Sequence, residues 1–196
     1  MDFFPADEIK RKLFHLLTLI YIILYWVTPV TFMLVGLGVT IILVFLFEIV
    51  RLKHTRFNYW LLSLLGGVHR GHETDKISGM AFTLAGSFFT ILLFFGDRNI
   101  VMASFMYLAF GDTSAALIGR AFGKHKITKD KTYEGSIACF IVCLICGLFF
   151  LEWPIAILGA VIATLIELIP WPISDNFWIP LVASGTLIFL VSTFRF

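Results

Sequence analysis

Seven long apolar runs, parted by short breaks and two polar stretches, limit the folds open to this chain more than any other feature. They lie at about 11–27, 30–50, 79–96, 99–119, 135–153, 155–170 and 177–194. Each approaches the ~20 residues that carry a helix across a hydrocarbon core. In lipid every backbone N–H and C=O must be paired internally, so such runs predict helices. The alternating pattern of a membrane β-barrel is absent. Charged residues make up only 14% of the 196 positions and apolar ones 59%, where a soluble domain spends about a quarter on charge. The expected fold is all-α, a polytopic integral membrane protein of about seven transmembrane helices in a single membrane domain over 1–196. Pro29, Pro154, Pro170 and Pro172 fall at or near the breaks, where a missing N–H does least harm. No internal repeat or low-complexity tract interrupts the pattern.

Lys10-Arg11-Lys12 ahead of the first run looks like the start of a signal peptide. The run leads straight into the second with no small-residue cleavage site, so a retained first helix is expected. Cys139, Cys143 and Cys146 share a stripe of one apolar helix with no charge to lower a thiol pKa, and read as packing or lipid-facing thiols. Within the polar stretch 51–78, Phe57, Trp60, Leu61, Leu64, Leu65 and Val68 recur at helical spacing. This predicts a short interfacial helix at about 56–68. His54, His69 and His72 read as headgroup-level side chains.

Charge sets the orientation. Thirteen of the 15 Lys and Arg residues fall on one side of a seven-span chain, leaving Arg98 and Arg195 on the other. The positive-inside rule then places the N-terminus in the cytoplasm, the C-terminus outside and the protein in the cell membrane. Glu8, Glu48, Glu73, Asp75, Asp112, Glu134, Glu167 and Asp175 map to the same cytoplasmic ends. Acids contribute little to topology, so this surplus needs a functional explanation.

Asp112 is the central case. It sits eight residues before Arg120, about 12 Å inward at helical rise, where an ionised carboxylate costs on the order of 2–3 kcal/mol. It must be paired, protonated, or facing water or metal. Ala116 and Gly119 leave the face above it bare, and Gly111, Ala115 and Gly119 form a small-residue row suited to close helix packing. The cytoplasmic loop at about 120–134 follows. Gly119, Arg120, Gly123, Lys124 and Lys126, then Lys131, Thr132, Glu134 and Gly135, combine glycines with cations, as phosphate binding requires. The loop runs into a helix N-terminus, which favours an anion. It is not a Walker A loop, because the glycine spacing is one short and His125 stands where Ser/Thr belongs. A triphosphate with Mg²⁺ needs carboxylates for the ion and cations for the free phosphate oxygens. Glu8, Lys12 and His15 share a face of the first helix, with Arg11 alongside; Glu48 and Arg51 close the second. Each set also fits a plain interfacial ion pair. Glu167 ends the sixth run, and Ser174-Asp175-Asn176 opens the seventh.

Taken together, Gly111-Asp112-Thr113-Ser114 through Gly119-Arg120-Ala121-Phe122-Gly123-Lys124-His125-Lys126 to Lys131-Thr132-Tyr133-Glu134-Gly135-Ser136 resembles the polyprenol kinase family. That family includes dolichol kinase, phytol kinase and CTP-dependent diacylglycerol kinase. Glu8 with Arg11-Lys12 and His15, Glu48 with Arg51, Ser78-Gly79, and Glu167 followed by Asp175-Asn176 and Pro180 support the match. The resemblance implies a lipid-alcohol kinase using CTP. In it Asp112 is the essential acid, Gly119 lies where the nucleotide approaches, and Arg11 and Lys12 belong to the active site. The expected mechanism holds CTP–Mg²⁺ against Arg120, Lys124, Lys126 and Lys131, with Asp112 and Glu134, Glu167 or Asp175 at the metal and Asp112 or Asp175 orienting the hydroxyl.

Two rivals stand beside it. The loop motif is also similar to phosphatidate cytidylyltransferases, but Ile173-Ser174-Asp175-Asn176-Phe177 stands where that family ends in Lys-Asp and His-Gly-Gly-x-Asp-Arg. A small anion transporter would place its site near the midplane, reachable from both faces, and here the outer half of every span lacks candidate ligands. The expected partners are the bilayer, a lipid alcohol and a nucleoside triphosphate, with no nucleic acid and with self-association left open.

Overall fold

The computed structural model describes residues 18–65, 76–171 and 173–194. Glu8, Arg11, Lys12, His15, His69, His72, Glu73 and Asp75 lie outside these residues. The described residues form an all-helical bundle. Its elements are α1 (Thr18–Val27), α2 (Val30–Lys53), α3 (Thr55–Leu65), α4 (Gly79–Phe94), α5 (Arg98–Phe122), α6 (Tyr133–Leu148), α7 (Trp153–Leu168) and α8 (Asp175–Phe194). Among the described residues a helix stands at each expected run, and the one expected at 56–68 is present as α3 as far as Leu65, residues 66–68 lying outside the described ones. Three helices, α2, α5 and α8, are long and apolar enough to cross a membrane, the mark of an integral membrane protein.

The outer surface says the same. Along α2, Phe32, Val35, Val39, Ile42, Leu43 and Leu46 are all exposed. An apolar flank of this kind marks a surface that meets lipid or another apolar partner. The shorter α4, α6 and α7 are helices of 16 residues, about 24 Å each at helical rise.

Helix α5 is the hub, two thirds of its apolar window being buried (67%). One apolar cluster joins its Tyr107 and Leu108 to Cys139 and Cys143 of α6, Ala160 of α7 and Leu187 of α8. A second joins its Val101 and Phe105 to Tyr21 and Tyr25 of α1, Met33 and Leu37 of α2 and Ile91 of α4. A buried hydroxyl pair, Ser104 and Ser184, ties α5 to α8 at 2.5 Å.

The three cysteines are buried in this packing rather than facing outward. Cys139 and Cys143 belong to a small-residue seam in which Gly111, Ala115 and Gly119 of α5 cross Gly135, Cys139 and Cys143 of α6. A Cβ on Gly135 would stand 2.7 Å from the Ala115 carbonyl oxygen. Gly135→Ala should therefore overpack the seam and cost about 1–3 kcal/mol. Thermal unfolding in detergent checks this beside Gly96→Ala, where a Cβ meets nothing within 4 Å and no such loss is expected.

The sequence predicts an uninterrupted helix over 99–119, and α5 departs from it. Residues Tyr107–Asp112 form a π-helical segment, the widened turn that commonly marks functional positions. Tyr107 fills the space between Gly147 and Gly159, and the segment ends on Asp112. In α8, Pro180 lies inside the helix and cannot donate to the Asn176 carbonyl. Helix α4 crosses there, where a Cβ on Gly86 would lie 2.7 Å from the Phe177 carbonyl oxygen and 3.1 Å from that of Asn176.

Candidate active site

Three carboxylates from three helices gather at one end of the bundle. Asp112 ends the π segment of α5 and is buried; Glu167, also buried, sits in the last turn of α7; Asp175 is the first residue of α8. Lys131 reaches in among them from the α6 side. Its Nζ is hydrogen-bonded to Glu167 Oε1 and lies 3.5 Å from Asp175 Oδ2. Burial pulls the Lys131 pKa down, but the charges of Asp175, Glu167 and Asp112, with the Glu167 hydrogen bond, outweigh it and leave it raised. Lys131 is thus a held ammonium, a quarter exposed (25%), between solvent and acids. Asp175 Oδ1 also accepts from the Asn176 backbone N–H at 3.1 Å, which fixes its orientation.

The segment that delivers Lys131 is a folded hairpin. Lys126 and Thr132 form an antiparallel bridge, Ile127 N–H donates to the Lys131 carbonyl at 2.9 Å, and Tyr133 N–H donates to that of His125 at 3.0 Å. This ladder aims Lys131 inward while Lys124, Lys126 and Lys129 stay exposed. Glu134 closes the base. Its Oε1 lies 2.8 Å from His125 Nδ1, and that hydrogen bond is the main cause of a carboxyl pKa lowered to about 2. Glu134 therefore faces the hairpin and does not join the other three acids, contrary to its expected place at a metal. Lys131, expected among the phosphate-binding cations, stands beside the carboxylates of Glu167 and Asp175.

The glycines expected to approach phosphate have packing partners. Gly119 and Gly135 face each other across the seam, and Gly123 abuts Thr132. The Thr132 side chain caps α6, accepting from the Gly135 N–H at 3.2 Å. Arg120 near the end of α5, and Lys124 and Lys126 at the hairpin, are exposed. Asn176 is half-buried in the first turn of α8.

Glu48 and Arg51 form more than an interfacial pair. Both are buried, Arg51 completely (0% exposed). Arg51 donates to Glu48 Oε2 at 2.7 Å, to Asn58 Oδ1 at 2.8 Å and to the Lys76 carbonyl at 2.6 Å. Glu48 Oε2 also accepts from the Ser78 N–H at 3.0 Å. The network locks the end of α2 to the starts of α3 and α4. Asn58 is the member that sequence reasoning missed; its only signal is a polar residue on the apolar face of a predicted amphipathic helix.

The bundle and its acid-lysine cluster define a class, a helical membrane protein with a charged site at one end. Comparison with known proteins narrows it. The chain is 28% identical to the CTP-dependent diacylglycerol kinase 1 of Saccharomyces cerevisiae, over 99% of its length and 77% of that protein. It is 26% identical to the protein of the same name from Schizosaccharomyces pombe, over 74% of each chain. An uncharacterized protein of Rickettsia prowazekii is 28% identical over 89% of this chain and 90% of its own. The chain is thus a distant relative of the CTP-dependent diacylglycerol kinases, members of the polyprenol kinase family. No family model matches it, and no solved structure does so significantly.

Proposed function

We propose that this protein is a CTP-dependent kinase that phosphorylates the hydroxyl of a membrane lipid alcohol, with diacylglycerol the first candidate acceptor. In this reading seven helices cross the bilayer, α3 lies in the interface, and the carboxylate end faces the cytoplasm. The observation that carries it is Lys131 held against Glu167 and Asp175, with buried Asp112 near enough to act on it electrostatically, in a distant relative of enzymes with that name.

Carboxylate oxygens suit a hard cation, and magnesium keeps several waters while taking only one or two carboxylates plus phosphate oxygens. Among the described residues no three His, Cys, Asp or Glu side chains stand close enough to cage an ion alone. The donor set therefore fits an ion that arrives with a nucleotide. Asp112 and Asp175 are the residues that would hold it, and its chemistry is neutralisation of charge on the transferring phosphoryl group.

The chain's own residues do the rest. Arg120, Lys124 and Lys126 at the rim bind triphosphate oxygens. Lys131 restrains Glu167 and Asp175 and presents an ammonium to the phosphates. A carboxylate, Asp112 or Asp175, accepts the hydroxyl proton as the oxygen attacks the γ-phosphorus in line and CDP leaves. Most of the rate arises from positioning and fixed charge, as phosphoryl transfer requires.

An acceptor panel tests the proposal. Purified protein in magnesium-containing micelles is offered diacylglycerol, polyprenol, dolichol and phytol, each with CTP or ATP. Phosphorylation of at least one alcohol with CTP preferred is expected. No phosphorylated alcohol under any condition would contradict it.

A further inference from the structure

A groove of about 470 Å³ opens on the apolar flank between α1 and α2, with Leu84 of α4 at its floor. Its walls include Ile20, Tyr21, Phe32, Met33 and Leu37. The volume lies within the ~300–1,000 Å³ typical of ligand sites.

Gly36, which also lines the groove, is the telling residue. Gly86, Gly111, Gly135, Gly147 and Gly159 each lie against a neighbour that leaves no room for a Cβ. A Cβ on Gly36 would meet nothing within 4 Å. Glycine inside a helix costs roughly 1 kcal/mol relative to alanine, and no packing contact in the structure offsets that cost at Gly36. What the missing side chain does is widen the groove.

The groove also has a direction. Its wall residue Tyr21 packs edge-on against Phe105 of α5 with centroids 5.8 Å apart, seven residues before Asp112 in the same helix. From there it runs toward the α1–α2 turn at Thr28 and Phe32, the end of the bundle opposite the carboxylates. The Tyr21 hydroxyl is turned aside onto Ser87 at 3.0 Å, so the walls offer little to a polar ligand. Beside the groove, Val35, Val39 and Ile42 of α2 are exposed as apolar flank, so a chain dissolved in the bilayer reaches it sideways.

We propose that this groove seats the hydrocarbon tail of the lipid alcohol, placing its hydroxyl at Asp112, and that Gly36 sets how bulky a tail is accepted. The inference rests on the kinase reading and names the tail subsite of that same site.

Gly36→Phe should fill the groove. With a long-chain acceptor its KM should rise about tenfold or more, while KM for CTP and kcat with a short-chain acceptor stay unchanged. Leu43→Phe, on the exposed flank of α2, is the control and should move neither. Equal loss with both acceptors, or no change with the long one, would overturn the assignment. A second measurement stands apart from catalysis. A diacylglycerol analogue with a photoreactive tail should label α1 and α2 at groove residues such as Met33 and Leu37. Unlabelled lipid alcohol should compete and phosphatidylcholine should not. Labelling elsewhere, or equal competition by phosphatidylcholine, overturns the tail subsite. If the wild type phosphorylates nothing, the kinase reading fails while the labelling result still decides the groove.

Discussion

Asp112→Asn should lower kcat with CTP by about 10²–10⁴, the range expected when a positioned acid or base is lost, and leave the fold intact. Asparagine keeps the shape of the side chain at the end of the π segment and removes only its charge. Steady-state kinetics paired with thermal unfolding in detergent checks this. Asp112 bears on Lys131 electrostatically together with Glu167 and Asp175, so two acids still restrain that lysine in the variant. A kcat within about threefold of wild type would remove Asp112 from the chemistry.

Arg51→Met should be the most damaging substitution away from the acids. It strands buried Glu48 and withdraws donors from Asn58 and the Lys76 carbonyl. Breaking one side of a buried ion pair costs about 3–5 kcal/mol, because the remaining charge is left uncompensated. Adding Glu48→Leu should restore part of the loss, since the stranded charge goes with it. Unfolding midpoints of the single and double variants measure this. A single variant as stable as wild type would mean that the network is surface decoration.

The helices were legible because the solvent dictates them. A lipid-exposed backbone has no alternative to internal pairing, so the run at 30–50 and helix Val30–Lys53 differ only at one end. Interior detail was less legible. Tyr107-Leu108-Ala109-Phe110-Gly111 reads as ordinary apolar helix, and nothing in that string announces a π segment. The space between Gly147 and Gly159 that Tyr107 fills is a tertiary feature, visible only once α6 and α7 pack on α5.

The site was legible by residue type and less so by role. Asp112 stands out as an acid inside an apolar run, and Glu167 and Asp175 as acids at the ends of two others; the fold brings Glu167 and Asp175 onto one ammonium that Asp112 also acts on. Lys129 and Lys131 are alike in sequence, yet the hairpin turns one outward and the other in. Glu134 resembles Glu167 in composition but begins its helix beside His125 and spends its carboxylate there. Gly119 and Gly135 answer the demand of a helix crossing, which a glycine-rich loop motif cannot be told from by sequence. Arg51 with Glu48 fits a plain interfacial ion pair in sequence, and its burial is visible only once Asn58 of α3 and the residues leading into α4 close over it.

The fate of the CTP phosphates tests the central claim most directly. Wild-type protein is given diacylglycerol and CTP labelled in the γ position, with a parallel sample labelled in the α position. The expected result is γ label in the extracted lipid, α label remaining as CDP, and neither transfer in Asp112→Asn. Alpha label in the lipid with release of pyrophosphate would show nucleotidyl transfer instead, and the carboxylate cluster would then serve a different reaction.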